Sequence, residues 1–101
     1  MALRYGHHAD LSRITALHRR CTPETLHRRF HTAVPVVPER LVRQTLLPEG
    51  GWSVVAELGP DLVGVASTGP LSCTDLEVGV LVEDAHQGCG IGTRLLQHVA
   101  A

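Results

Sequence analysis

The chain predicts an α/β (α+β) domain with a mixed, mainly antiparallel sheet of about four strands, N-terminal helices, and one helix after a glycine loop. Three observations lead there. Apolar residues recur at helical spacing in three separate stretches of the first half. Between Trp52 and Val82 the pattern changes to short β-branched runs divided by Gly–Pro turns. Last, an apolar run ending at Val82 passes through a polar bend into Gln87-Gly88-Cys89-Gly90-Ile91-Gly92 and continues as an amphipathic helix through Thr93-Arg94-Leu95-Leu96.

Each element has its own signal. Ala2–Tyr5 is a short apolar start that predicts a first strand. Asp10 stands where it can cap a helix in which Leu11, Ile14, Leu17 and Cys21 face inward, leaving Ser12, Arg13, His18 and Arg19 outside. Thr22-Pro23-Glu24 starts a second helix with threonine as cap, proline at the first helical position and glutamate in the first turn. Leu26 and Phe30 form its buried stripe, with Arg28 and Arg29 on its wet side. The prolines of Val34-Pro35-Val36-Val37-Pro38 interrupt the helical pattern. A third helix follows from Pro38 or Glu39, with Leu41, Val42, Thr45 and Leu46 toward the core, until Pro48-Glu49-Gly50-Gly51 ends it.

Trp52–Glu57 then predicts a strand, Gly59-Pro60-Asp61 a tight turn, and Leu62–Ala66 the antiparallel return, closed by Gly69-Pro70. The third strand of this meander runs from about Asp75 to Val82. No repeat, linker or low-complexity tract divides the chain, so residues 1–101 form a single domain.

Composition removes several function classes. At 44% hydrophobic residues the chain is globular, and a formal charge of −1 supplies no electrostatic reason for nucleic acid or an anionic membrane as partner. All nine basic residues are arginine. No apolar run approaches the roughly 20 residues of a membrane span, and the N-terminus has no signal-peptide pattern, which predicts a cytoplasmic protein. Cys21, Cys73 and Cys89 are odd in number and widely spaced, so they form neither a disulfide framework nor a metal knuckle. The histidines predict no metal: His7-His8 with Asp10 is too short to enclose zinc, and His27 with His31 lacks a third ligand. His86 belongs to the bend before Gln87, and His98 to the outer face of the last helix.

The glycines carry the function. Main-chain amides without Cβ atoms, at the positive end of a helix dipole, converge on an anion such as a phosphate. A Walker loop would end in Gly-Lys-Ser/Thr, but Thr93-Arg94 follows Gly92 here and the chain has no lysine. A dinucleotide fingerprint would place an acidic residue about 20 positions further on, beyond Ala101. Instead, Gln87-Gly88-Cys89-Gly90-Ile91-Gly92 resembles the acetyl-CoA signature Gln/Arg-x-x-Gly-x-Gly/Ala of the GNAT acetyltransferases. Glu77-Val78-Gly79-Val80-Leu81-Val82 is similar to the family's central strand, and Thr22-Pro23-Glu24-Thr25-Leu26 to Arg29-Phe30 resembles a Ser/Thr-Pro-Glu motif of its bacterial protein-lysine acetyltransferase branch.

The resemblance implies acetyl-CoA as acyl donor and a primary amine, on a small molecule or a protein lysine, as acceptor. It implies that the amides of Gln87, Gly88, Gly90, Ile91 and Gly92 hold the pyrophosphate, within a cofactor site that runs from Gln87 through Cys89 to Thr93. The strand Val80-Leu81-Val82 would pair with the pantetheine arm, and a bulge at Gly79 would free the amide of Val80 or Leu81 to polarise the thioester carbonyl. Glu77 would be the general base. Cys89 occupies a variable position of the signature and is expected to have no catalytic role. In the family a further strand, a helix and usually two more strands follow the helix that starts near Gly92, together with a tyrosine that protonates the thiolate. Tyr5, the only tyrosine here, is on the first strand. An incomplete domain is therefore expected, with an apolar sheet edge that self-associates as a homodimer through that edge or the last helix. The alternative is a CoA-binding or interaction module without turnover. The basic stretch Thr22–Pro48, with Arg28, Arg29, Arg40 and Arg43, borders the acceptor groove in the family and favours a neutral or acidic acceptor over a polycation.

Overall fold

The computed structural model describes residues 1–30, 37–70 and 75–100. Strand β1 (Ala2–Tyr5) leads through a 3-10 turn at His8–Asp10 to three helices, α1 (Leu11–Arg20), α2 (Pro23–Phe30) and α3 (Glu39–Leu46). Strands β2 (Trp52–Leu58), β3 (Asp61–Pro70) and β4 (Leu76–Val82) follow, then a 3-10 turn at Asp84–His86 and helix α4 (Ile91–Ala100). The four strands form one sheet in the order β1-β2-β3-β4, and every pairing is antiparallel. The expected elements are all present. The proline interruption falls largely on residues 31–36, outside the described residues, as do Cys73 and His31.

Three layers result. Ile14, Leu17, Leu26, Val42 and Leu46 from α1–α3 pack on one face of the sheet against Val55, Leu62, Val65 and Leu81. Ile91, Leu95 and Val99 of α4 cover the other face against Val54, Ala56, Val63 and Ala66. Trp52 pins the far end of α4, its indole N–H donating to Val99 O at 3.2 Å. Alternate side chains of β2 therefore serve two cores, which explains a run as apolar as Val54-Val55-Ala56.

One bulge shifts this alternation. Ala56 faces Gly64 but Glu57 faces Leu62, so Val63 is an extra residue with no partner on β2. Leu62 points into the first core and Val63 into the second. The slip also places Leu62 O where Arg20 donates to it at 2.7 Å, and Arg20 pairs as well with Glu83.

Two polar residues depart from the expectations for α1. Asp10 makes no side-chain cap to α1. Its carboxylate, 3% exposed, accepts from Arg4 on both oxygens at 2.8 Å, from Arg13 at 2.7 Å and from His7 N–H at 3.0 Å. The charge is stronger as a buried anchor between β1 and α1 than as a cap, and these guanidiniums hold the carboxyl far below the usual carboxylate range. His18, expected outside, is 4% exposed. It follows Ile14 by four and precedes Cys21 by three, so helical spacing brings it onto the inner face with them.

Candidate active site

The glycine loop is fastened to α2 before it reaches the glycines. Thr22 caps α2 through its Oγ1, which accepts from Thr25 N–H at 3.3 Å. The same helix start holds Asp84, which accepts from Thr22 N–H at 2.9 Å, Thr22 hydroxyl at 2.8 Å and Thr25 hydroxyl at 2.9 Å. These bonds, led by the Thr22 amide, lower the Asp84 pKa. Gln87 continues the link, its Nε2 donating to Val82 O at 3.0 Å and to Thr25 Oγ1 at 3.2 Å. Its own amide donates to Asp84 O at 3.3 Å, so of the five expected pyrophosphate amides that of Gln87 is already engaged.

Beyond Gln87 the chain turns through left-handed backbone at Gly88 (φ 80°) and Gly90 (φ 84°), a conformation that glycine adopts without cost. Helix α4 then begins. Arg94 N–H bonds to Gly90 O at 3.1 Å, which leaves the amides of Ile91, Gly92 and Thr93 ahead of the first intrahelical bond. Gly92 has ordinary backbone; a Cβ there would touch Val80 and Val82 at 3.7 Å, where the helix start lies against β4.

Strand β4 is one of the two sheet edges among the described residues, and its register decides which groups it offers. Glu83 N–H bonds to Val63 O at 2.9 Å, in register with the β3–β4 pairing. Antiparallel alternation then turns the main-chain groups of Gly79 and Leu81 toward β3 and those of Val78, Val80 and Val82 toward the open edge. The Gln87 bond to Val82 O lies on that open side. Of the two amides expected to polarise a carbonyl, only Val80 faces outward; that of Leu81 is spent inside the sheet, and its side chain is 1% exposed. The expected bulge at Gly79 is absent from the β3–β4 pairing, which runs unbroken from Pro70–Leu76 to Gly64–Val82.

Gly79 is required for another reason. A Cβ there would lie 2.4 Å from Cζ of Arg29, so the guanidinium rests directly on the strand. Arg29 was expected on the wet side of α2. It lies instead between Gly79 and the Phe30 ring, with Cζ 4.9 Å from the ring centroid. Burial lowers its pKa, and nearby Glu77 opposes that shift.

Two clefts meet at this arginine. The first, of about 490 Å³, is lined by Val80, Leu81, Val82, Gln87, Gly88, Gly90, Ile91, Gly92 and Thr93, together with Thr25, Arg28, Arg29 and His86. Nine of the ten expected cofactor residues are thus brought together. Cys89 is not among the lining residues; it is exposed, with Sγ 3.9 Å from Gln87 O. The second cleft, of about 440 Å³, lies under α2 and α3 and holds Glu77, Ser67 and Glu49. Thr25, Arg28, Arg29 and His86 were not among the expected cofactor residues; Arg28 and Arg29 were expected at the acceptor groove, and Thr25 and Arg29 lie within the segment that resembles a family motif. Burial pushes the Cys21 thiol up to about 12, which leaves it inert at neutral pH. Among the described residues no group of three His, Cys, Asp or Glu side chains is placed to hold a metal ion. Nor is any helix among them long and apolar enough to cross a membrane.

A strand edge, a glycine turn and a helix start around one cleft are the arrangement the sequence motif implied, and the profile of the acetyltransferase (GNAT) family matches residues 11–101. The chain belongs to the GNAT family. Solved GNAT structures superpose well. The GNAT domain of PAT from S. lividans has a TM-score of 0.81 at 22% identity, covering 97% of this chain and 62% of its own. A ribosomal-protein-alanine N-acetyltransferase from Brucella melitensis gives 0.71 at 25% identity, covering 99% of this chain and 65% of its own. The protein yncA from Salmonella typhimurium, solved with its cofactor acetyl-CoA, gives 0.70 at 25% identity, with 97% and 60% covered. This GNAT chain therefore spans less than two thirds of the length of each. No curated protein matches its sequence.

Proposed function

We propose that this chain is an acetyl-CoA-dependent N-acetyltransferase acting on a primary amine. The observation that carries the reading is one cleft in which the open edge of β4 and the unengaged amides of the glycine loop converge, beside a second cleft holding Glu77. Gly88, Gly90, Ile91, Gly92 and Thr93 would hold the diphosphate through their amides, with Arg28 supplying positive charge nearby. Val78, Val80 and Val82 would pair with the pantetheine arm as an added strand, and the Val80 amide would polarise the thioester carbonyl. Glu77 shares the inner face of β4 with Gly79 and would take the proton from the incoming ammonium, directly or through a water. The free amine then attacks the carbonyl carbon, the C–S bond breaks to release a thiolate, and the acylated nitrogen gives its remaining excess proton to water or to that thiolate.

A second reading is binding without turnover. One observation bears on it: Tyr5 is on β1, at the opposite edge of the sheet from β4, so this residue is not the one that protonates the thiolate. Calorimetric titration with acetyl-CoA and a thiol-release assay over a panel of amines separate the two. The proposal expects acetyl-CoA binding, thiol release on at least one amine, and a loss of about 100-fold or more in kcat for Glu77→Gln. Binding with no release on any amine would establish the second reading. We further propose that the chain is a cytoplasmic protein that pairs with a copy of itself along β4, where Leu76 and Val78 are 71% and 50% exposed.

A further inference from the structure

Arg29 differs from the other inward-reaching arginines in how it is partnered. Arg4, Arg13 and Arg20 each pair with a carboxylate within 3 Å, as a guanidinium withdrawn from water requires. Among the described residues Arg29 has no carboxylate at that range. Its one side-chain hydrogen bond to them is a long one, 3.4 Å to Ser67 Oγ, and its buried Nε has no partner among them. An arginine carries five N–H donors in a rigid fork; leaving the buried Nε–H unmet is costly, while the terminal nitrogens belong to a side chain that lines both clefts. The fork is nonetheless held still, flat on Gly79 below and against the Phe30 ring beside it. Rigid, charged and under-satisfied donors are suited to a planar anion that arrives from outside.

The position of Arg29 selects which anion. Among the described residues it is the one cation lining the cleft that contains Glu77. The glycine loop begins beyond Val82, and three strand residues separate Gly79 from that point, about 10 Å. A diphosphate on the loop amides has Arg28 beside it, and Arg29, which lines both clefts, is the arginine that also faces Glu77. Along β4, by contrast, Glu77 and Gly79 are two residues apart on the same face, about 7 Å. A base for an ammonium and a fork for a carboxylate therefore stand side by side.

Resting on the acetyltransferase reading above, we propose that Arg29 binds the carboxylate of the acceptor, so that the substrate class is a free amino acid whose amine is presented to Glu77. The two groups sort the two ends of a zwitterion: the ammonium approaches the carboxylate of Glu77 and the carboxylate approaches the fork. A simple alkylamine satisfies only the first. A polycation meets repulsion at the second.

The test uses the chain with CoA present and pairs of ligands that differ only in the anion: β-alanine against β-alaninamide, and γ-aminobutyrate against its amide. The first readout is the Arg29 Nε–H signal in a 15N correlation spectrum, assigned by its disappearance in Arg29→Lys. A saturable shift with both acids and none with the amides is expected; no shift with either acid overturns the proposal. This readout needs no turnover, so it remains decisive even if the catalytic reading fails in the thiol-release assay. Where thiol release occurs, kcat/KM is expected to favour the acid over the amide by about 10-fold or more, chiefly through KM. Equal values would overturn the proposal. Gly79→Ala is the second variant: its methyl displaces the fork without touching the glycine loop, and the preference should vanish while acetyl-CoA titration still shows binding. Retention of the preference in Gly79→Ala would count against Arg29 as its source.

Discussion

His18 is the residue whose chemistry is most constrained by its surroundings. Its Nδ1 is 2.8 Å from Ile14 O, its Nε2 is buried without a partner, and its ring is 5.7 Å from that of Phe30. Burial pushes its pKa down; the Ile14 bond opposes this and the Arg29 charge adds to it. A histidine held neutral in the fold but free to protonate when unfolded supplies stability above its unfolded value, near 6.5, that is lost as pH falls toward the folded one. The expected loss is at most about 1.4 kcal/mol per pH unit in that window. Melting curves between pH 7.5 and 5 should therefore fall more steeply for the native chain than for His18→Leu, and equal slopes would refute the assignment. His18 and Arg29 were both misplaced by the sequence reading for the same reason. Each falls at helical spacing among apolar residues, but its polar type was taken as a sign of exposure. Thr25 and Arg29 in fact share their face of α2 with Leu26 and Phe30.

At the scale of elements, the join between α2 and the glycine loop matters more than either alone. The apolar periodicity made the helices, the meander and the loop legible, because each is a local pattern. The network from Thr22 and Thr25 to Asp84 and Gln87 was not legible, since it joins residues about 60 positions apart. Asp84, in the polar bend that follows Val82, is the clasp that holds the loop to the helix. Thr25→Val removes a hydroxyl that meets Asp84 and Gln87 together, while keeping the shape of the side chain. Acetyl-CoA affinity, measured by calorimetry, should drop about 10-fold in this variant, with a loss of stability of about 1–2 kcal/mol. Unchanged affinity would mean that the loop holds its form without the clasp.

For the molecule as a whole, the sheet is covered on both faces and, among the described residues, ends in two edge strands, β1 and β4. The cores on either side account for the burial of β2 and β3, but Leu76 and Val78 are left exposed at the end of β4 farther from the loop. Sedimentation at micromolar concentration should show self-association that Val78→Lys, a charge on the edge, suppresses. A strictly monomeric native chain would remove that expectation. Saturating acetyl-CoA should also weaken the association, since the donor cleft draws on the same strand edge.

The extra residue at Val63 sets the phase of the middle strand. Before it, inward and outward positions follow one count; after it, they follow the other. Loss of that single residue would turn over whichever part of β3 was forced back into step, sending aliphatic side chains to the wrong core and carrying the Leu62 carbonyl away from Arg20. A regular hairpin grafted in place of β2 and β3 would thus arrive half inverted, however well its composition matched, and the glycine loop would start from the wrong side of its own sheet.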